Sequence, residues 1–323
     1  MTAAIDRLDV LTDIELDLPG RRVGKVRVSY DLGGDRRLFV TTDRLSAFDR
    51  IVAAVPSKGQ VLNQLAWWWF NTTRHIVANH ALVQPDPNVL VAVSASPLPV
   101  EVIVRGHITG VTSTSLWRQY AEGNRVIYGY ELPDGLAKNT ELPSPLVTPT
   151  TKADAGEHDE PLTCAEVVSR GLVAPALWEE VQAAALALFD HGRRVANDAG
   201  LILADTKYEF GLDRDGGLLL IDEVHTPDSS RFWEAGSYEE RLRHAQEPES
   251  LDKELVRRAL ADAGYGGDGE PPVLPAELWQ ATGDRYRQAY ERLTGTGFEQ
   301  GATPIATRVT DNVRHFLSSE PSR

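Results

Sequence analysis

The sequence has few of the features that mark secreted, membrane-spanning or nucleic-acid-binding proteins. Its 323 residues include one cysteine, Cys164, which cannot form an internal disulfide bond. No apolar run reaches the roughly 18 residues of a transmembrane helix, and the acidic N-terminus lacks a signal-peptide pattern. A net charge of −14 does not provide the basic surface that nucleic acids and anionic membranes require. We therefore expect a cytoplasmic protein with neither kind of partner, either a monomer or a small homo-oligomer.

The hydrophobic content of 42% is enough to bury the core of one large or two ordinary domains. The first hundred residues are rich in strand patterns, and the remainder alternates strand and helix patterns. We expect helices near residues 60–78, 176–197, 250–263 and 275–293, and a long ordered loop over residues 128–160. Thr163 and Glu166 have the spacing of a capping box, so Cys164 between them is predicted to be a packed residue rather than a nucleophile.

The segment from Leu203 to Trp233 has the pattern of a hairpin that brings two carboxylates together. Asp215-Gly216 is a common two-residue turn, and a turn there places Glu209 directly opposite Asp222. Like charges placed opposite each other are destabilising, so the pattern indicates a divalent cation, and Mg²⁺ prefers such hard oxygen ligands. Alternation assigns five apolar residues to the opposite, core-facing side of the hairpin: Tyr208, Phe210, Leu212, Leu219 and Ile221.

The alternative is a solvated hairpin in which Lys207 screens two surface acids, and the pattern alone does not separate the two interpretations. The loop that follows favours a binding site, because residues His225 to Arg231 place hydroxyls and a guanidinium at the mouth of the charged face. Arginine is suited to a bidentate grip on carboxylate or phosphate.

A set of motifs resembles the phosphoribosylaminoimidazole-succinocarboxamide synthase (SAICAR synthetase) family. In chain order they are GKVR, TTDRLSAFD, VEVIVRGHITG, TPTTKADAGEHDE, DTKYEFG and IDEVHTPDSSRFW. The resemblance runs from about Val23 to Trp233, and residues 112–152 are most similar to the longer, plant-type members. One motif would be modest evidence, whereas the ordered set is strong.

The resemblance implies an α/β (α+β) fold of the SAICAR synthetase type. A small N-terminal antiparallel, kinase-like domain over residues 1–100 would face a larger α/β domain over residues 101–323, with ATP in the cleft between them. The implied reaction converts the carboxylate of a carboxylated aminoimidazole ribonucleotide (CAIR) into an acyl phosphate. The amine of L-aspartate then displaces phosphate to give the succinocarboxamide SAICAR, with Mg²⁺ as the metal cofactor and ADP as the other product.

The resemblance also implies roles for individual residues. Glu209 and Asp222 would be the metal ligands, and the catalytic residues would be Lys207, Glu209, Asp222 and Arg231. ATP would contact Gly24, Lys25, Val26, Arg27, Lys207 and Glu209. The acceptor and aspartate would contact Arg105, Thr112, Ser113, Lys152, His158, Asp159, Asp228, Ser230 and Arg231. From the pattern alone, the favoured interpretation of Lys25 and Arg27 is that they are basic residues that protect an edge strand.

The sequence departs from the family pattern at two positions. Val111 stands where the family usually has serine, and Val28 where it has aspartate. Valine cannot donate a hydrogen bond to an anion, so either Thr112 or Ser113 substitutes for the serine, or the acceptor differs. The second possibility describes a paralogue in specialised nucleoside biosynthesis that acts on another azole carboxylate nucleotide.

Two further alternatives belong to different classes of protein. One is a kinase-like phosphotransferase that uses the same cleft without ligation. The other is an inactive nucleotide-binding module, against which the retained Lys207, Glu209 and Asp222 argue.

Overall fold

The computed structural model describes residues 9–48, 50–111, 114–152, 159–267 and 269–319. The N-terminal part forms a five-stranded antiparallel sheet in the order β1-β2-β3-β7-β6, and β4 and β5 form a separate hairpin. These elements, in chain order, are β1 (Arg22–Val23), β2 (Arg27–Gly33), β3 (Arg36–Thr41), β4 (Arg44–Ala47), β5 (Arg50–Ala54), α1 (Lys58–Thr72), β6 (Ala81–Asp86) and β7 (Val89–Val93).

A second antiparallel sheet has β12 at its centre. Strand β8 pairs with one edge of β12, and β13 and β14 pair with different parts of the other edge, while β11 extends the sheet beyond β8. The remaining elements are β8 (Ser96–His107), α2 (Leu116–Ala121), β9 (Val126–Ile127), β10 (Tyr130–Glu131), β11 (Glu141–Thr151), α3 (Cys164–Ser169), α4 (Pro175–Asp198), β12 (Leu201–Leu212), β13 (Leu218–Ile221), β14 (Ser230–Glu234), α5 (Ala235–Arg243), α6 (Glu254–Asp262), α7 (Ala276–Thr294) and α8 (Ile305–Ser319).

Alternation along β8 and β12 separates the core from the cleft. Val102 and Val104 of β8 and Tyr208 and Phe210 of β12 are buried in the main core, together with residues of α4. The residues between them face the opposite side of the sheet, as the period of two in a strand requires. The second sheet therefore presents one apolar face to α4 and one polar face to the first sheet.

The predicted α+β fold is confirmed, and so are the capping box around Cys164 and the predicted helices near α1, α4, α6 and α7. The predicted loop over residues 128–160 is wrong in its central part, because residues 141–151 form β11, an edge strand of the second sheet. Three prolines in this strand weakened the strand signal, and the edge position tolerates them because they cannot donate ladder hydrogen bonds.

The sequence patterns did not indicate α5 or α8. Helix α8 returns to the N-terminal sheet, where Ile305, Val309 and Val313 are buried among residues such as Val28 and Leu38. The proposed division at residue 100 remains a prediction, and α8 would then be a C-terminal helix that packs on the N-terminal domain. No helix in the described ranges is long and apolar enough to cross a membrane.

Candidate active site

A cleft of about 1050 Å³ lies between the two sheets. Most of the predicted site residues line it: Gly24, Lys25, Val26, Arg27, Arg105, Lys152, Asp159, Lys207, Glu209, Asp222, Asp228, Ser230 and Arg231. The other three predicted residues, Thr112, Ser113 and His158, lie outside the described residues. A smaller pocket of about 400 Å³ shares Arg27, Glu209 and Asp222 with the cleft and has apolar walls such as Phe39 and Leu90.

The predicted hairpin is present, but its register differs by one residue from the prediction. Glu209 lies opposite Ile221 rather than Asp222. Ile221 therefore shares the side of Glu209 and lines the smaller pocket. The core side carries Leu218 and Leu220, so the predicted placement of Leu219 and Ile221 is wrong.

The shift in register comes from the turn. The strands are joined by residues 213–217 rather than by a two-residue turn at Asp215-Gly216. The carboxylate of Asp213 accepts hydrogen bonds from the backbone N–H groups of Asp215 at 2.9 Å and Gly217 at 2.7 Å. Such side-chain to backbone bonds stabilise a wider loop than the dipeptide alone predicts.

A cation lies between two carboxylates on facing strands. Glu209 of β12 is directly opposite Glu101 of β8, and Lys207 Nζ lies 2.6 Å from Glu209 and 2.9 Å from Glu101. Lys152 pairs with Glu209 as well. Burial would raise the pKa of Glu209, but Lys207 and Lys152 outweigh burial and hold that pKa well below its usual range. Glu209 is thus ionised and faces the cleft.

Asp222 follows β13 directly, with a left-handed φ of 68° that aspartate tolerates better than most residues. Its carboxylate pairs with Arg27, whose Nη2 atom is also 3.5 Å from Glu223. Burial would lower the pKa of Arg27, but these two carboxylates and that of Glu209 raise it above its usual range. The predicted metal ligands therefore line one cleft without being cross-strand partners.

The glycine-containing loop that holds Arg27 is closed by its own backbone. The N–H of Gly24 donates to the carbonyl of Arg27 at 2.8 Å, and Arg44 donates to the carbonyl of Gly24 at 2.9 Å. A Cβ atom at Gly24 would lie 3.3 Å from the Arg27 carbonyl oxygen, so a glycine suits this close turn. The loop places the segment from Gly24 to Arg27 beside the carboxylates of the second sheet.

A second charged group lies at the other end of the cleft. Arg231 Nη1 is 2.5 Å from Asp205, and Arg105 Nη1 is 3.8 Å from the same carboxylate oxygen. Thr148 accepts a hydrogen bond from Arg105 Nε at 2.8 Å, and Arg231 Nε is 3.8 Å from Glu254. Two guanidinium groups are thus held side by side, an arrangement suited to a phosphate or carboxylate.

The two departures from the family pattern lie away from the cleft. Val28 is fully buried in the core of the N-terminal sheet, so a carboxylate is not missing from the site. Val111 is 47% exposed and is absent from the described residues that line the cleft. Ser115, which does line the cleft, is 2% exposed.

The side chain of Ser115 lies close to Gly110 and to Arg231. A Cβ atom built on Gly110 would lie 3.2 Å from Ser115 Oγ and 3.4 Å from Arg231 Nη2. The hydroxyl and the guanidinium therefore approach the same point. Gly110 has a φ of 94°, in the left-handed region that glycine adopts without strain.

Several cleft residues were not identified from the sequence: Glu101, Ser115, Glu223, Lys253 and Arg257. Glu101 was detectable, because it alternates with buried valines and so shares the cleft face of Arg105. Glu223 was detectable as the neighbour of Asp222. Lys253 and Arg257 lie at the start of α6, and no local pattern indicates that this helix approaches the cleft.

The fold and the cleft define an α+β enzyme that binds anionic substrates, with ionised carboxylates at one end and paired guanidinium groups at the other. Comparison with known proteins agrees with this class of enzyme and identifies the family within it. The family model of SAICAR synthetase matches residues 21–272. A phosphoribosylaminoimidazole-succinocarboxamide synthase of Legionella pneumophila is 48% identical over 310 residues, covering 95% of this chain and 98% of that protein.

A chloroplastic relative from Arabidopsis thaliana is also 48% identical, over 95% of this chain and 76% of its own length. Among solved structures, the SAICAR synthase of Saccharomyces cerevisiae complexed with SAICAR has a TM-score of 0.76 at 32% identity. It covers 90% of this chain and 100% of the yeast chain. The chain belongs to the SAICAR synthetase family, a family of ATP-dependent ligases of purine biosynthesis, and the resemblance drawn from its motifs is confirmed.

Proposed function

We propose that this chain joins L-aspartate to CAIR through an acyl phosphate, with the cleft residues in the roles given below. The observation that carries the proposal is the arrangement of the carboxylates of Glu209 and Asp222 at one end of the cleft and the guanidinium groups of Arg105 and Arg231 at the other. A nucleoside triphosphate can bind at one end and an acceptor nucleotide at the other, so that their reacting groups meet between the two ends.

The first step transfers the γ-phosphoryl group of ATP to a carboxylate oxygen of CAIR, which gives ADP and an acyl phosphate. The amine of aspartate then attacks the acyl carbon, loses a proton and expels phosphate. Lys207, Lys25 and Arg27 offset the negative charge of the transferred group. Arg105, Arg231 and Ser230 bind the phosphate or carboxylate of the acceptor, and positioning of three anionic substrates supplies much of the rate.

Glu209 and Asp222 fit Mg²⁺ as the metal cofactor. Both carboxylates already attract cations, namely Lys152, Lys207 and Arg27. In the described residues no group of three or more His, Cys, Asp or Glu side chains could hold a metal without other ligands. The remaining ligands would be phosphate oxygens and water, as Mg²⁺ prefers. Bound there by Glu209 and Asp222, the ion would offset the negative charge of the substrate phosphates.

Lys152 and Asp159 line the cleft, and with His158 we assign them to the aspartate side of the site. Asp228 is assigned to the acceptor, where it would accept hydrogen bonds from ribose hydroxyls or from the ring amino group. The roles of Thr112, Ser113 and His158, and the cytoplasmic location, remain predictions from the sequence.

Ser115 replaces the family serine in this proposal. Because its hydroxyl approaches the same point as Arg231, the departure at Val111 gives no reason to expect a different azole. Ser115→Ala should lower kcat/KM for CAIR about tenfold, since a hydrogen bond to a charged group contributes about 1.5 kcal/mol or more. Val111→Ser is the matched variant and should change kcat/KM less than about twofold.

The test of the proposed function is ADP release with aspartate and a panel of azole carboxylate nucleotides, followed by mass analysis of the product. CAIR should be the best acceptor, and the product should contain aspartate. Preference for another azole would identify the specialised paralogue. A phosphorylated acceptor that accumulates although aspartate is present would identify the phosphotransferase.

A further inference from the structure

A buried ion pair links the start of α1 to the acceptor end of the cleft. Lys58 is 0% exposed, and its Nζ atom lies 2.8 Å from Asp228 and 3.0 Å from the carbonyl oxygen of Arg44. A Cβ atom at Gly59 would lie 2.4 Å from the carbonyl oxygen of Thr41. Glycine after Lys58 therefore allows α1 to begin in direct contact with the end of β3. This close packing buries the Lys58 side chain.

The second oxygen of the same carboxylate is held from the C-terminal part of the chain. The hydroxyl of Tyr286, in α7, donates to Asp228 Oδ1 at 2.5 Å, whereas Lys58 is bound to Oδ2. Tyr286 is 0% exposed and packs with Val61 and Leu62 of α1. Both oxygens of Asp228 are thus fixed by side chains from two helices that lie far apart in the sequence.

This arrangement determines what Asp228 can offer to a ligand. An ionised carboxylate accepts about four hydrogen bonds, so two protein donors leave acceptor capacity directed to the cleft that Asp228 lines. Burial would raise the pKa of Asp228, but Lys58 and Lys253 outweigh burial and lower this pKa to about 2. Asp228 is therefore a fixed anion that accepts hydrogen bonds.

We infer that Lys58 and Tyr286 are positioning residues for Asp228, which they orient to accept hydrogen bonds from paired donors such as vicinal hydroxyls of the acceptor nucleotide. The inference rests on the proposed assignment of Asp228 to the acceptor. It gives α7 a direct link to substrate binding through Tyr286. Because the proposed function assigns ATP to other residues of the cleft, loss of the Tyr286 hydroxyl should act on the acceptor rather than on ATP.

The first test compares Tyr286→Phe with Tyr30→Phe. Tyr30 is the matched control, since it is also 0% exposed and its hydroxyl donates to a carbonyl oxygen at 2.7 Å in the N-terminal core. In Tyr286→Phe the KM for the acceptor should rise about tenfold, while kcat and the KM for ATP stay within about twofold. Tyr30→Phe should leave both KM values unchanged.

Equal effects of Tyr286→Phe on the two KM values, or an acceptor KM like that of the wild type, would overturn the inference. The comparison uses whichever azole nucleotide the wild type turns over. Failure of CAIR as the acceptor is therefore seen in the wild type and counts against the proposed function. An equal change, or no change, in the KM values for acceptor and ATP in Tyr286→Phe counts against the positioning role of Tyr286.

A second test does not depend on activity. Lys58→Met removes the cation and leaves Asp228 buried and charged, so Tm should fall by several degrees. Adding Asp228→Asn to Lys58→Met removes the uncompensated charge and should restore about half of that loss or more. A double variant no more stable than Lys58→Met would show that Lys58 does not act through Asp228.

Discussion

At the scale of single residues, each carboxylate assigned to the metal has a cation beside it. Glu209 lies beside Lys207 and Lys152, and Asp222 beside Arg27. Substrate phosphates attract these cations and a metal ion attracts the carboxylates, so binding would exchange one set of ion pairs for another. Such an exchange keeps the charges compensated in a site of low dielectric constant.

The carboxylates assigned to the metal can be tested one at a time. Glu209→Gln and Asp222→Asn should each lower kcat at least about a hundredfold, because charge stabilisation during phosphoryl transfer is lost. The measurement is ADP release at saturating substrates over a range of Mg²⁺ concentrations. Asp215→Asn, at the exposed tip of the hairpin, makes the same change of charge and should be neutral. Near-normal turnover of Asp222→Asn at low Mg²⁺ would mean that the hairpin is structural.

The pH dependence of acceptor binding should follow the protonation state of Lys253. Burial, with Arg257 and Lys58 nearby, lowers the pKa of Lys253 to about 8, although Asp228 opposes this shift. If the charged form binds the anionic acceptor, kcat/KM for the acceptor should fall as pH rises through about 8. Lys253→Arg keeps its charge over this range and should move the decline to a higher pH. A decline near pH 8 that persists in this variant belongs to another group.

Sequence reasoning identified most of the charged residues of the cleft because alternation and the motif resemblance assign them to one face. It missed Lys253, Lys58 and Tyr286. Lys253 lines the cleft, and Lys58 and Tyr286 contact the cleft residue Asp228. All three positions depend on contacts between elements that are distant in the sequence, and periodicity contains no information about such contacts.

At the scale of elements, the β12–β13 hairpin shows which features of a hairpin local sequence patterns predict and which they do not. Alternation predicted the sides of Tyr208 and Phe210 correctly, because a strand has a strict period of two. The position of the partner strand depended on the turn, and the side chain of Asp213 selects a longer turn than Asp215-Gly216 would give. A change of one residue in register moves every partner side chain to the other face.

Helix α8 provides the test at this scale. Val309 is 0% exposed and packs against the N-terminal sheet. Val309→Ala should lower the free energy of unfolding by about 2 kcal/mol, from two lost methyl groups and the cavity they leave. Val126→Ala, at a position 64% exposed, should change it by less than about 0.5 kcal/mol. Equal values from urea unfolding would show that α8 does not stabilise the sheet.

At the scale of the whole molecule, both chain halves contribute to each end of the cleft. The N-terminal sheet supplies Arg27 to the carboxylates of the second sheet, α1 supplies Lys58 to Asp228, and α8 covers the far side of the N-terminal sheet. This arrangement could be expected from the family resemblance but not from composition or periodicity. It lets a phosphoryl donor and its acceptor meet at an interface between sheets.

The most direct test of this account follows an oxygen atom. CAIR labelled with ¹⁸O in its carboxylate is incubated with ATP and aspartate, and the inorganic phosphate is analysed by mass spectrometry. Ligation through an acyl phosphate predicts one labelled oxygen in each phosphate, formed in equal amounts with ADP and amide. Unlabelled phosphate would contradict an acyl phosphate, and a labelled phosphorylated acceptor that persists with aspartate present would contradict ligation.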